Sequence, residues 1–121
     1  MDTIQILVID DDPSARDLLA STLRTIGYPR VHTAADQAAA EHMLKKTRID
    51  VVFLDIELSG ENGFEVMLAL KQEAPQIGIV MVSAHSTMDN VKQAIKQGAR
   101  GFVVKPYSLA KVKDVMAQFA G

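Results

Sequence analysis

The sequence predicts an α/β protein in which helices cover both faces of a doubly wound, five-stranded parallel sheet. Short apolar runs rich in β-branched residues alternate five times with stretches whose apolar residues recur at helical spacing. The third run, residues 49–55, is almost unbroken before it ends on Asp55, as expected of a strand covered on both faces. Right-handed crossovers leave few other arrangements for such an alternation.

Composition narrows the class of protein. The chain has 121 residues, of which 48% are hydrophobic, so one domain spanning residues 1–121 is expected. It has no Cys, which excludes disulfides and thiolate chemistry. The N-terminus has no basic signal segment and no apolar run could span a bilayer, so we expect a cytoplasmic protein without a membrane contact. A net charge of −2 with dispersed bases disfavours direct nucleic-acid binding.

The first strand is predicted over residues 4–9, an apolar run that ends on three aspartates. The first helix is expected to begin at Pro13, because Pro is tolerated at the first helical position and Asp12 can cap the free amides. Its apolar stripe continues to Gly27, a residue type that commonly terminates helices.

Residues 28–33 are a weak candidate for the second strand. Either Thr33 or Asp36 could cap the second helix, whose alanines have high helix propensity. Its closing lysines, residues 45–46, are favourable at the C-terminal dipole. The third strand follows over residues 49–55.

The second half of the chain repeats the alternation. The third helix is expected over residues 64–74, where a following proline stops it. A β-branched run over residues 77–82 predicts the fourth strand, and the fourth helix should follow over residues 88–98. The fifth strand, Gly101–Val104, and a fifth helix over residues 109–119 complete the pattern.

Polar residues follow four of these strands. Asp10 and Asp11 end the first strand, Asp55 the third, Ser83 the fourth and Lys105 the fifth. Because the carboxyl ends of parallel strands meet at one edge of a sheet, all five should converge there. Taken singly, each could be a helix cap or a solvated turn residue, and Asp55 alone is equally compatible with a turn aspartate. Those interpretations do not easily explain the five together.

The charges in this predicted group favour a bound cation. Two carboxylates about 4 Å apart repel by roughly 4 kcal/mol at an effective dielectric constant near 20. Mg²⁺ suits carboxylate, carbonyl and water oxygens, and it usually accompanies phosphate. Since Asp is an established phosphoryl acceptor, the group indicates a phosphoryl-transfer site supported by Lys105 and the Ser83 hydroxyl.

With these residues identified, the chain resembles a receiver domain of the two-component response regulators, of the chemotaxis-regulator kind. The resemblance covers the whole sequence, from residues 4–12 through the Asp55 strand and residues 82–84 to residues 101–106. It implies a flavodoxin-like strand order of 2-1-3-4-5, which the alternation alone does not give.

The resemblance implies a role for each acidic residue. Asp55 would be the phosphoacceptor, and Mg²⁺ would be held by Asp10, Asp11, Asp55 and the backbone carbonyl of Glu57. The phosphoryl group would come from a sensor histidine kinase, a phosphotransfer protein or a small phosphodonor. The domain would then hydrolyse its own aspartyl phosphate slowly, as a regulator and not as a turnover enzyme.

The remaining site residues would act as a switch. Ser83 would close on the phosphate, Lys105 would supply its counter-charge and Phe102 would be the aromatic switch residue. The signal would leave through the surface of the fourth helix, fifth strand and fifth helix, towards an output domain or partner protein. Whether the chain stands alone or belongs to a longer protein stays open.

The sequence departs from the family pattern beside the acceptor. Residues 58–59 are Leu-Ser where the family commonly has Met-Pro, so a turn fixed by Pro is missing. We expect the Glu57 side chain to assist the cation more than it repels the donor, while a solvent-pointing side chain without effect stays open. His85 has no obvious acidic partner and is expected at the solvent edge, whereas His32 and His42 are expected on the surface.

Two alternative functions fit the sequence less well than this one. A flavodoxin-like cofactor binder would need a Gly- and hydroxyl-rich phosphate cradle after the first strand, and the acids at residues 10–12 would repel a flavin phosphate. An interaction module with an inactive site is disfavoured because all five site residues are present.

Overall fold

The computed structural model of the chain describes residues 3–58, 60–85 and 88–120. Strands and helices alternate along these residues as the sequence predicts. Their order is β1 (Ile6–Ile9), α1 (Pro13–Thr25), β2 (Val31–Ala34), α2 (Gln37–Lys46), β3 (Val51–Asp55), α3 (Gly63–Glu73), β4 (Gly78–Ser83), α4 (Met88–Lys96), β5 (Gly101–Val104) and α5 (Leu109–Ala120).

The strands form one parallel sheet in the order β2-β1-β3-β4-β5. This confirms the doubly wound sheet and the strand order that the family resemblance implies. The register sets the carboxyl ends of the central strands side by side, since Asp55 pairs with Val82 and Ser83 pairs with Val104. No helix within the described residues is long and apolar enough to cross a membrane.

Side chains of the strands alternate between two buried cores, one on each face of the sheet. Leu54 of β3 lies in the core covered by α2, α3 and α4, whereas its neighbour Phe53 lies in the core covered by α1 and α5. Both side chains are fully buried. Complete burial of a side chain of this size contributes about 1.5–3 kcal/mol, so the two cores hold the site-bearing strands at a fixed spacing.

The helix caps agree with the sequence signals. The Asp12 carboxylate accepts a hydrogen bond from the Ser14 amide at the start of α1. Asp36, and not Thr33, caps α2 through the amide of Ala39. Gly27, two residues beyond the end of α1, has a φ of 116°, a conformation that side-chain-bearing residues rarely adopt.

Several strands begin later than predicted. β1 begins at Ile6 and β3 at Val51, while β4 covers Gly78–Ser83. The second strand is Val31–Ala34 and excludes Tyr28, because the Tyr28 amide donates to the Leu23 carbonyl and closes the end of α1. Tyr28 therefore belongs to the helix end and not to the sheet.

Candidate functional site

The predicted site residues converge at the carboxyl edge of the sheet. Asp10 directly follows β1, Asp55 and Ser83 are the last residues of β3 and β4, and Lys105 directly follows β5. Asp10, Asp55 and Ser83 are buried. Charged and polar side chains are seldom buried without partners, so their contacts decide what this edge can do.

Lys105 bridges the two buried carboxylates. Its ammonium lies 2.9 Å from Oδ2 of Asp55 and 3.2 Å from Oδ2 of Asp10. The other oxygen of each carboxylate accepts a backbone hydrogen bond, from the Asp12 amide at 3.0 Å and from the Glu57 amide at 2.9 Å. Each aspartate is therefore anchored to its own loop and also held by the same cation.

Asp11 adds a third carboxylate to this edge. One oxygen from each of Asp10, Asp11 and Asp55 lies within 4.8 Å of the others. Such a set of carboxylate oxygens suits a hard divalent ion, because hard cations prefer oxygen ligands. Mg²⁺ in particular keeps several waters and binds only a few protein groups. The Glu57 side chain is not a member of this set, and a role for its backbone carbonyl stays a prediction.

Two opposing effects set the pKa values at this edge: burial disfavours the charged form of each group, and contact with an opposite charge favours it. Burial raises the pKa of Asp55 to about 6, although the Lys105 ammonium opposes the rise. Burial lowers the pKa of Lys105, but its contacts with Asp55 and Asp10 outweigh burial, so the net pKa is raised. Lys105 is thus a fixed cation, and Asp55 is mostly ionised at neutral pH.

A second hydrogen-bonded group lies beside the first. Oε1 of Glu57 accepts a hydrogen bond from the Ser83 hydroxyl at 2.6 Å and lies 2.7 Å from Nδ1 of His85. The expectation that His85 has no acidic partner is therefore wrong. Its side chain is nonetheless 71% exposed, as expected of a residue at the solvent edge. Glu57 contacts protein on one side and does not simply point into solvent.

The chemistry of this group fixes its hydrogen-bond directions. Burial raises the pKa of Glu57, but the hydrogen bonds from His85 and Ser83 outweigh burial and lower it to about 2. An ionised carboxylate can only accept hydrogen bonds. Ser83 and Nδ1 of His85 are therefore both donors at neutral pH.

The Glu57–His85 contact could have been found from register. Asp55 pairs with Val82 of the adjacent strand β4, and Glu57 follows Asp55 by two residues while His85 follows Val82 by three. Segments that leave two hydrogen-bonded parallel strands begin about 5 Å apart, so their first residues can come into contact.

Comparison with known proteins identifies the family. A family model for the response regulator receiver domain matches residues 6–117. The chain belongs to this family. The nitrogen assimilation regulatory protein NtrX of Azorhizobium caulinodans is 36% identical over 105 residues, which are 85% of this chain and 23% of that protein.

Solved receiver domains have the same fold. The chemotaxis protein CheY4 of Vibrio cholerae superposes with a TM-score of 0.87 at 27% identity, covering 95% of this chain and 97% of that one. The receiver domain of NtrX from Brucella abortus has a TM-score of 0.87 at 32% identity, with 94% and 96% covered. This chain spans about half or less of the length of the curated relatives it matches.

Family membership places this receiver domain in two-component signalling, which depends on phosphorylation. It decides against the flavin-binding alternative. The chain's own departures from the family pattern lie in the loop after β3, where Leu58 is buried and Ser59 falls outside the described residues. Arg16 is a site residue that the sequence patterns missed: its guanidinium donates to the Asp10 carbonyl at 2.8 Å and braces the loop after β1.

The other predicted residues of the receiver domain lie as follows. Phe102 is half-buried and packs against the core beneath α2, α3 and α4. His42 is exposed, as expected. His32 is only half-exposed and its Nε2 lies 2.8 Å from Oε1 of Gln5, so it is partly enclosed and not a free surface residue.

Proposed function

We propose that this receiver domain, over residues 1–121, accepts a phosphoryl group on Asp55 from a sensor histidine kinase, a phosphotransfer protein or a small phosphodonor. One observation supports Asp55 over its neighbours. It ends the central strand, so it has the acidic residues of the β1 loop on one side and Ser83 of β4 on the other. Asp10 shares the acidic cluster and Lys105 but is separated by β3 from Ser83.

In the proposed reaction a carboxylate oxygen of Asp55 forms a bond to phosphorus as the bond to the donor's leaving group breaks. Lys105 already contacts Asp55 and stays close to the added charge. Ser83 has a hydroxyl that can donate to a phosphoryl oxygen. Such transfer depends mainly on positioning and charge neutralisation, which these fixed residues supply.

Mg²⁺ is the proposed cofactor. The carboxylates of Asp10, Asp11 and Asp55 would hold it, together with the backbone carbonyl of Glu57. When bound, the ion neutralises charge on the phosphoryl oxygens. The close set of three carboxylates supports this proposal, because these oxygens repel each other and the Lys105 ammonium contacts those of Asp10 and Asp55.

The proposed output surface is formed by α4, β5 and α5, in a cytoplasmic protein that binds no nucleic acid through this domain. Ser83 pairs with Val104 of β5, which lies two residues from Phe102 in the same strand. A movement of Ser83 can therefore displace β5 and Phe102 through adjacent residues. Ile95 is a large apolar side chain exposed on α4, where Lys92 is also exposed, and Lys111 is exposed on α5. An exposed apolar residue among charges fits contact with an output domain or partner protein.

The first test is phosphorylation itself. Incubated with Mg²⁺ and a small acyl-phosphate donor, the protein should gain the mass of one phosphoryl group, and Asp55→Asn should abolish the gain. Asp50→Asn is the matched control, because Asp50 adjoins the opposite end of β3. Stable phosphate on Asp55→Asn at the wild-type stoichiometry would overturn the assignment.

The second test concerns the output surface. Fluoroberyllate, a phosphate mimic, should shift backbone amide signals in α4, β5 and α5 as well as around Asp55, measured by heteronuclear NMR with Mg²⁺. Phe102→Ala should reduce the distant shifts and leave those around Asp55 in place. Wild-type shifts confined to the loops at the carboxyl edge would remove this surface from the proposal.

A further inference from the structure

The single proton of the Ser83 hydroxyl is already engaged. Its Oγ lies 2.6 Å from the Glu57 carboxylate and 3.1 Å from the His85 carbonyl. A hydroxyl donates only one hydrogen bond, and the shorter contact to an ionised oxygen is the stronger of the two. The His85 amide also donates to Oγ at 2.9 Å. Ser83 therefore has no proton left for a further acceptor.

Glu57 is fixed at both ends. Its backbone amide donates to Asp55, which places the residue directly beside the proposed acceptor, and Nδ1 of His85 holds its carboxylate at 2.7 Å. The Glu57 side chain is still 38% exposed. Its carboxylate can leave Ser83 for water without opening the core.

We propose that Glu57, positioned by His85, sequesters the Ser83 hydroxyl in the resting state. We call Glu57, Ser83 and His85 together the Glu57 clasp. A phosphoryl group on Asp55 must displace the Glu57 carboxylate before it can receive the Ser83 proton, so the clasp weakens binding of the phosphoryl group and opposes the switch. This inference rests on the proposed function.

The clasp predicts a coupling between two residues. Fluoroberyllate affinity at saturating Mg²⁺ should rise on the order of fivefold in Glu57→Gln, because a neutral amide oxygen holds the hydroxyl less strongly than a carboxylate. In a Ser83→Ala background the same substitution should change affinity by less than about twofold, because no hydroxyl is left to release. Calorimetric or NMR titration of the four proteins closes this cycle.

Simple charge repulsion gives a different result. If Glu57 only repelled the anion, Glu57→Gln would tighten binding equally with and without the Ser83 hydroxyl, and that outcome overturns the clasp. Glu61→Gln is the charge-matched control. Glu61 lies on the same loop, but its carboxylate accepts from the Gln37 amide and should leave the affinity within about twofold of wild type.

His85 provides the positioning test. His85→Ala should tighten fluoroberyllate binding in the same direction as Glu57→Gln but less, while His85→Gln, which keeps a donor, should move the affinity back towards wild type. Equal affinity of wild type and Glu57→Gln contradicts the clasp alone. Absence of Mg²⁺-dependent binding in every variant overturns the proposed function and the clasp with it.

Discussion

An aspartate lies at each end of β3, since Asp50 directly precedes the strand and Asp55 is its last residue. The two aspartates have different partners. Asp50, at the amino edge, accepts a hydrogen bond from the Gln5 amide and lies 3.9 Å from Nε of Arg48, whose side chain is 79% exposed. Asp55, at the carboxyl edge, is buried and contacts Lys105 at 2.9 Å. Asp50 is partly exposed to water and accepts a hydrogen bond from a backbone amide, whereas Asp55 is a buried charge beside further acidic residues.

This difference separates the edge that is proposed to accept phosphate from the opposite edge. The cleft at the amino edge is the larger of two, about 720 Å³ and lined mostly by polar side chains, while the recess beside Lys105 measures about 370 Å³. The size of a cleft is therefore not the property that points to the proposed phosphorylation site. A buried carboxylate with a raised pKa costs stability, and a fold keeps such a group chiefly where it has a function.

The largest expected effect comes from the cation that holds the carboxyl edge together. In metal-free buffer near pH 8, Lys105→Met should lower the free energy of unfolding by about 2 kcal/mol, because Asp10 and Asp55 lose their shared cation. The usual penalty for breaking a buried pair is about 3–5 kcal/mol. The Lys105 side chain is 28% exposed, so a smaller penalty is expected.

Denaturant titrations at two pH values and with Mg²⁺ separate charge from packing. Without Lys105 the pKa of Asp55 should rise above its wild-type value of about 6, so the variant takes up a proton on Asp55 at a higher pH than the wild type does. The stability deficit of the variant should therefore shrink as the pH falls from 8 towards about 6. Mg²⁺ should also reduce the deficit. A deficit independent of both pH and Mg²⁺ would indicate lost packing only. At the amino edge, Arg48→Met should cost less than about 0.5 kcal/mol.

The sequence predicts the fold more completely than the site's internal contacts. Apolar periodicity and the caps at Asp12 and Asp36 locate the elements, because these signals are local. The strand order needed the family resemblance. The contact between Glu57 and His85 was missed because it joins two loops 28 residues apart in the chain, and only strand adjacency and register bring them together.

The effect of removing the Asp55 charge is expected to be smaller and of opposite sign. The pKa of Asp55 is raised from an ordinary 3.8 to about 6. A carboxyl group with a raised folded-state pKa stabilises the fold below its unfolded-state pKa, and this stabilisation is lost as the pH rises through about 6. At neutral to alkaline pH the ionised Asp55 therefore disfavours the folded state.

Asp55→Asn should consequently raise the free energy of unfolding near pH 8 by about 1–2 kcal/mol in metal-free buffer, after discounting for solvent screening. Asn retains one side-chain oxygen, which can accept from either Lys105 or the Glu57 amide but not from both, and the loss of one hydrogen bond is included in this smaller gain. The gain should decline between about pH 6 and pH 4 and vanish below that range, as wild-type Asp55 takes up its proton.

The same substitution at Asp50, at the opposite end of β3, is the control for Asp55→Asn. Asp50→Asn keeps an acceptor for the Gln5 amide and relieves no buried charge, so it should give no gain and lose up to about 1 kcal/mol. Saturating Mg²⁺ should reverse the order of wild type and Asp55→Asn, since an ion that binds the folded wild type stabilises it and the variant lacks one carboxylate ligand. Urea titrations at three pH values measure all of these differences. An Asp55→Asn protein less stable than wild type near pH 8 without metal would show that its hydrogen bonds, and not its charge, dominate at this position.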